Sequence, residues 1–260
     1  MLRIPCRFFF VYLWSPLHTR AVWLIANGPW GKTIHQRFIA IFKSMYGIDW
    51  PETSSFKTLG EFFLRTVRFQ IASENLVSPI EGKCVDGPAL IFRSDGTEVK
   101  KLHYEWKNFK ELDLSRFQNG MFWNFYLAPK NYHWVHAACE GRNLEARRHR
   151  GNFLPVNALG RWLSPLLFSE NERLTFKWES ETYGQVLMIC VGAMAVSGLY
   201  SEKGEVSYDH WTKLSDSVQK AERLLAFKLG SSVLLLIERA PSGVDKKTML
   251  RVGDALYRSA

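Results

Sequence analysis

Two short stretches concentrate the side chains that could do chemistry. In NYHWVHAACEG, His133 and His136 stand three apart, and Cys139 follows three further on. In FKLGSSVLLLIERA, Gly230 and two serines, Ser231 and Ser232, run straight into five apolar residues. A serine hydroxyl is a weak nucleophile unless a base stands beside it, and histidine is the side chain whose charge changes near neutral pH. Read on its own, Gly-Ser-Ser before an apolar run is the turn that opens a buried strand. On a helix, His133, His136 and Cys139 would share one face as a partial zinc set. In extended chain His133 and His136 point to opposite faces, and no further ligand cluster completes a set, so no metal is expected. The pair reads either as two histidines with separate duties or as two hydrogen-bonded structural ones.

The elements that must carry these groups follow from the pattern of apolar residues. From about Ile71 onward, short apolar runs are broken by Gly, Pro, Asn and Asp, the texture of a β-rich body. Strand candidates are PALIFRS, MFWNFYLAP, QVLMICVGAMAVSGLY and SVLLLIE. Before that point, Ile34, Phe38, Ile41, Phe42 and Met45 recur at helical spacing with Lys32, Arg37 and Lys43 among them. That helix either packs on the core or lies in a lipid interface with its cations toward anionic headgroups. Trp14, Trp23 and Trp30 favour the interface. SFKTLGEFFLRTVRF (55–69) reads as a capped helix leading out of this region. The expected fold is therefore α+β, with a helical, membrane-associating region over 1–70 and a β-rich core over 71–260. EARRHRG (145–151), between strand candidates, is expected to be a solvent-exposed hairpin or loop tip.

Composition narrows the class. The 260 residues are 47% hydrophobic and 23% charged, with a formal net charge of +9, so the chain is a folded protein with an anionic partner. Four widely spaced cysteines, Cys6, Cys84, Cys139 and Cys190, exclude a disulfide scaffold. No run reaches the roughly 18 apolar residues that span a bilayer. RFFFVYLW (7–14) superficially resembles a secretion signal, but HTRA lacks a small-x-small cleavage site. Nucleic-acid binding is not expected, because no module pattern for it is present.

Seven segments together carry a resemblance: SFKTLGEFFLRTVR, LVSPIEGKC, YLAPKNYHWVH, GNFLPVN, LLFSENER, VGAMAVSGLY and KAERLLAFKLGSSVLLL. In this order and rough spacing the chain resembles the phosphatidylserine decarboxylases, from about Ile34 to about Glu238. The resemblance implies that Ser231 attacks the carbonyl of Gly230 and that the chain splits between them. Ser231 then becomes a pyruvoyl group, the self-made cofactor that forms a Schiff base with the amine of phosphatidylserine. It further implies that His136 is the base for Ser231, that Glu81 in SPIEG orients His136, and that His133 serves the decarboxylation. Implied partners are phosphatidylserine and an anionic membrane surface, with the two cleaved pieces staying together and a homodimer allowed. The implied location is peripheral, at the cytoplasmic face of a bacterial inner membrane.

The chain departs from the family pattern at Glu81 and Asn131, where aspartates are usual, and at Trp134, where arginine is. Ala221, Arg223 and Leu225 stand where Gly, Glu and Gly are common, and Ser232 replaces threonine. A second reading is therefore a lipid-binding relative that never cleaves, using the same basic and aromatic surface.

Overall fold

The computed structural model describes residues 9, 11, 14–50, 53–91, 106–109, 112–193, 199–227, 231–243 and 247–257. Gly230 and the segment 194–198 lie outside the described residues, as do most of RFFFVYLW and the end of PALIFRS.

Helices come first. α1 spans Ser15–Asn27, α2 Lys32–Tyr46 and α3 Leu59–Phe63. Gly47 ends α2 in the left-handed conformation at φ 60°, which costs glycine little. Thr58 caps α3, its Oγ1 accepting from the Glu61 N–H at 3.0 Å. The expected 55–69 helix is thus far shorter: Ser55 precedes the cap, and Arg65 onward runs as irregular chain. His35 draws the three helices together, with Nε2 2.9 Å from the Gly28 carbonyl and Nδ1 accepting from the Leu59 N–H at 3.4 Å. Only His35 and Ile39 of α2 are buried. Ile34, Ile41 and Met45 are exposed, and so are Trp14, Trp23 and Trp30.

The rest is a large antiparallel sheet with a small one beside it, so the α+β expectation holds. β1 (Gly82–Leu90), β2 (Met121–Leu127), β4 (Gly141–His149), β5 (Arg173–Ser180), β6 (Gly184–Val191), β8 (Thr212–Val218), β10 (Ser231–Ile237) and β11 (Met249–Leu250) form the large sheet, in the order β11-β1-β2-β10-β6-β5-β4-β8. β3 (Trp134–His136), β9 (Arg223–Phe227) and β7 (Leu199–Ser201) form the small one, with β9 central. Two short helices, α4 (Ala158–Leu163) and α5 (Leu167–Glu170), join β4 to β5. QVLMICVGAMAVSGLY, expected as one strand, is divided: β6 belongs to the large sheet and β7 to the small one.

EARRHRG is not a loop tip. Glu145–His149 lie inside β4, which is paired on both sides by β5 and β8. The basic residues sit on a strand because Leu144 and Ala146 alternate into the core. Arg148 is held by Glu172 at 3.2 Å and lies over the Tyr208 ring.

β10 is the best anchored strand. It pairs along its whole length with β2 and over Ser232–Ile237 with β6, and every residue is buried. That accounts for the unbroken run VLLLI: both faces are covered, so nothing requires polar alternation. Each of these five side chains contributes roughly 2 kcal/mol by leaving water.

Candidate active site

Two of the passages between the sheets carry the residues of interest. The chain leaves the large sheet at Leu127, turns through 128–133 and enters the small sheet at Trp134; it leaves the small sheet at Phe227 and enters the large one at Ser231. The flanking residues meet: Ser231 is the register partner of Leu127, and the Phe227 N–H donates to the His133 carbonyl at 3.0 Å. His133 and Ser231 are thereby brought to the seam, while His136 stands at the other end of β3, paired with Arg223; Gly230 lies outside the described residues.

Partner chemistry fixes the tautomer of each histidine. Nδ1 of His136 lies 2.6 Å from the Ala221 carbonyl, which can only accept, so Nδ1 carries the proton and Nε2 the lone pair. The Tyr132 hydroxyl, 3.1 Å away, therefore donates to Nε2. In the same way His133 donates from Nδ1 to the Asn131 carbonyl at 2.7 Å. Its Nε2 is buried and has no hydrogen-bond partner among the described residues, and the same holds for the hydroxyls of Ser231 and Ser232. Unpaired buried polar atoms are costly, so each calls for an explanation.

Both imidazoles are kept neutral. Burial lowers the pKa of His133 to about 3, against a smaller opposing effect of the Asn131 carbonyl. Burial, with help from the Arg223 cation, lowers that of His136 to about 4. The hydroxyl of Tyr132 is pushed up, chiefly by burial. Ala221, whose carbonyl orients His136, has φ 61°, a conformation that suits the glycine usual there. Hydrogen bonds between Ala221 and Ala137, and between Ala137 and Glu222, lock it in place.

Glu81 is at the seam too, but against other groups. Its Oε1 accepts from Asn131 Nδ2 at 3.1 Å and from the Tyr132 N–H at 3.4 Å. Among the described residues it makes no hydrogen bond to His136, whose Nδ1 is taken by Ala221. Two departures from the family pattern thus bond to each other, Glu81 and Asn131. A second pair does likewise, with the Arg223 guanidinium 4.8 Å over the Trp134 ring.

Arg65 is a member that sequence reasoning missed. It is buried between Trp50 and Phe62, and its Nη2 donates to the Lys130 carbonyl at 2.6 Å. Burial lowers its pKa, offset in part by the Glu81 charge. An arginine after an apolar helix gives no signal of this kind, because its partners are backbone carbonyls far along the chain. Cys139 is buried, with its thiol pushed up to about 11 by burial, and is inert. Among the described residues no three His, Cys, Asp or Glu side chains gather to hold a metal.

A cavity of ≈ 800 Å³ opens between α1, α2 and α3 and the sheet, lined by Val22, Ile25, Phe38, Ile41, Phe42, Met45 and Phe63 on the helical side and by Tyr126, Pro129, Val156 and Ala193 opposite. It abuts the seam: Phe63 packs on the His133 ring with centroids 4.0 Å apart, and Tyr126 is the register partner of Ser232.

The described residues thus form an antiparallel body that buries a serine and two neutral histidines and carries a largely apolar cavity beside His133. The family model described as phosphatidylserine decarboxylase matches residues 59–258, and the chain belongs to that family. It is 30% identical to the phosphatidylserine decarboxylase proenzyme of Alcanivorax borkumensis, over 88% of this chain and 84% of that one. It is 29% identical to the proenzyme of that name from Escherichia coli, over 86% and 78%, and 27% identical to that of Methylibium petroleiphilum, over 89% of each.

Proposed function

We propose that this chain cleaves itself between Gly230 and Ser231 and then decarboxylates phosphatidylserine to phosphatidylethanolamine. The observation that carries the reading is the buried, unpartnered hydroxyl of Ser231, at the first residue of the best anchored strand. The names of the relatives support the substrate, and the word proenzyme supports processing.

In the first step the Ser231 hydroxyl gives its proton to His136 Nε2 and its oxygen adds to the Gly230 carbonyl carbon; Tyr132 turns its own O–H aside to bare that lone pair. The peptide C–N bond breaks with the proton returned to nitrogen, leaving an ester. Loss of the Ser231 Cα proton then expels the Gly230 carboxylate from Cβ and leaves an enamine, which becomes an imine as Cβ gains a proton and nitrogen loses one. Water hydrolyses the resulting imine, releasing ammonia and leaving a pyruvoyl group. The fold suits such a cut, because β9 pairs with β3 and β7 before it and β10 with β2 and β6 after it. The two pieces stay together through these ladders.

Residue 231 fits the group, being fully buried and held by strand pairing on a rigid floor of apolar side chains. A pyruvoyl carbonyl supplies the electron sink that decarboxylation at an amino-acid Cα needs. His133, neutral and with Nε2 free, exchanges a proton with the substrate. Burial of the seam excludes water from the reacting carbon. The cavity beside Phe63 takes the acyl chains, while the exposed Trp23 and Trp30 enter the lipid and Arg20, Lys32 and Arg37 meet anionic headgroups. No helix among the described residues is long and apolar enough to cross a membrane. On this reading the protein is peripheral, held at the cytoplasmic face of a bacterial inner membrane by these side chains.

One observation favours the second reading, a lipid-binding relative that stays whole: the Tyr132 hydroxyl already occupies His136 Nε2. Turnover separates the two. The purified chain in phosphatidylserine vesicles should release CO2 and form phosphatidylethanolamine while Ser231→Ala forms none; equal, background release from both would leave the non-processing relative.

A further inference from the structure

Glu81 needs a role, since its carboxylate is not on an imidazole. The group it does hold, Asn131, has five hydrogen bonds that knot the 128–133 crossover. The Asn131 N–H donates to the Ala128 carbonyl at 2.9 Å, Oδ1 accepts from the Ala128 N–H at 2.9 Å, Nδ2 donates to Glu81, and the backbone carbonyl receives His133 Nδ1 and, at 3.5 Å, Arg65 Nη2. A primary amide can sit in its site in either of two senses, with oxygen and nitrogen exchanged. A carboxylate accepts only and a backbone N–H donates only, so Glu81 and the Ala128 N–H together fix which end is Nδ2 and hold Oδ1 on the turn. That closes the turn and aims the Asn131 carbonyl at His133. Arg65 braces the same turn through the Lys130 carbonyl and balances the charge of Glu81.

We propose that Glu81 and Asn131 are a positioning pair for His133: the carboxylate, with the Ala128 N–H, sets the sense of the Asn131 amide, and the amide holds the carbonyl that keeps His133 in its Nδ1–H form with Nε2 free toward the seam. The orientation of His136 rests instead on the Ala221 carbonyl. This deepens the reading of His133 given above and rests on it for activity, but not for geometry.

The test is imidazole nitrogen NMR on the full chain carrying Ser231→Ala, which stays whole whatever the enzyme does. His133 and His136 are assigned by removing each in turn. Glu81→Ala and Asn131→Ala should each replace the single His133 Nδ1–H signal by an averaged one, leave His136 unmoved, and be no worse together than singly, because they act in one chain. Glu81→Gln, which still offers an acceptor, should restore the His133 signal. Asn131→Asp, of the same size but unable to donate to Glu81, is the second probe should the alanine variants fail to fold. In chains that retain Ser231, Glu81→Ala should slow decarboxylation by the cleaved protein about 10²-fold and leave the cleavage rate within about twofold. An unchanged His133 signal in the folded variants, or a shift of His136 in its place, overturns the proposal. If instead the chain with Ser231 neither cleaves nor turns over, the functional reading fails while the NMR result stands.

Discussion

The Tyr132 hydroxyl lies 3.1 Å from His136 Nε2 and donates to it, so the one lone pair that His136 has to offer is covered. Uncovering it is a step that the account requires before Ser231 can lose its proton. Tyr132→Phe should therefore cleave several-fold faster than the unaltered chain. It should also lose about 1–2 kcal/mol of stability, since Nε2 is left buried and unpaired. Band intensities over time on a denaturing gel, with a urea titration of the Ser231→Ala background, read both. Slower cleavage would mean that Tyr132 carries the proton rather than withholding it.

The two histidines should separate by phenotype. His136→Ala should stay whole, because the base for Ser231 is gone, whereas His133→Ala should cleave and then turn over poorly. Cleavage time courses and product formation on the same samples check this, and normal processing in both would remove the division of labour.

The pH dependence follows from the depressed pKa values, about 3 for His133 and about 4 for His136 against 6.5 when unfolded. Between these values the unfolded chain binds protons that the folded one does not. Stability therefore rises with pH across this window: it is full above about pH 6.5 and is lost as pH falls toward about 4 and 3. His136 alone contributes about 3 kcal/mol of this. Cleavage, needing neutral His136, should be flat from about pH 6 to about pH 8 and fall only as pH approaches about 4. A midpoint near the ordinary histidine value would contradict the buried, neutral site.

Ala221 holds φ 61° so that its carbonyl can face His136. Ala221→Gly should relieve that backbone at about 1 kcal/mol, partly offset by the freer unfolded chain, and keep cleavage. Ala221→Val should cost more than that and slow cleavage, because a β-branched side chain resists this conformation. Thermal unfolding and gel time courses measure the pair.

Most of the fold could be read in advance, and the misreadings have physical causes. VLLLI announced a buried strand because its pattern was unbroken, and the spacing in α2 announced a helix. The apolar stripe of α2 did not say which face packs inward: the buried positions are His35 and Ile39, while Ile34, Ile41 and Met45 stay exposed. Polarity hid β4, where arginines flank Leu144 and Ala146 and find partners such as Glu172 that lie far along the chain. His133, His136 and Ser231 were visible as residue types and were gathered by the resemblance. Their partners were not, because Ala221, Asn131 and the Tyr132 hydroxyl act through backbone carbonyls and a turn that no local pattern encodes.

The central claim is the cut at Gly230-Ser231, and intact mass after purification and long incubation tests it most directly. The account predicts two species, one ending at Gly230 and one of 30 residues, 231–260, that begins with a pyruvoyl group, with Ser231→Ala remaining whole. A single mass for the uncut 260-residue chain would contradict it.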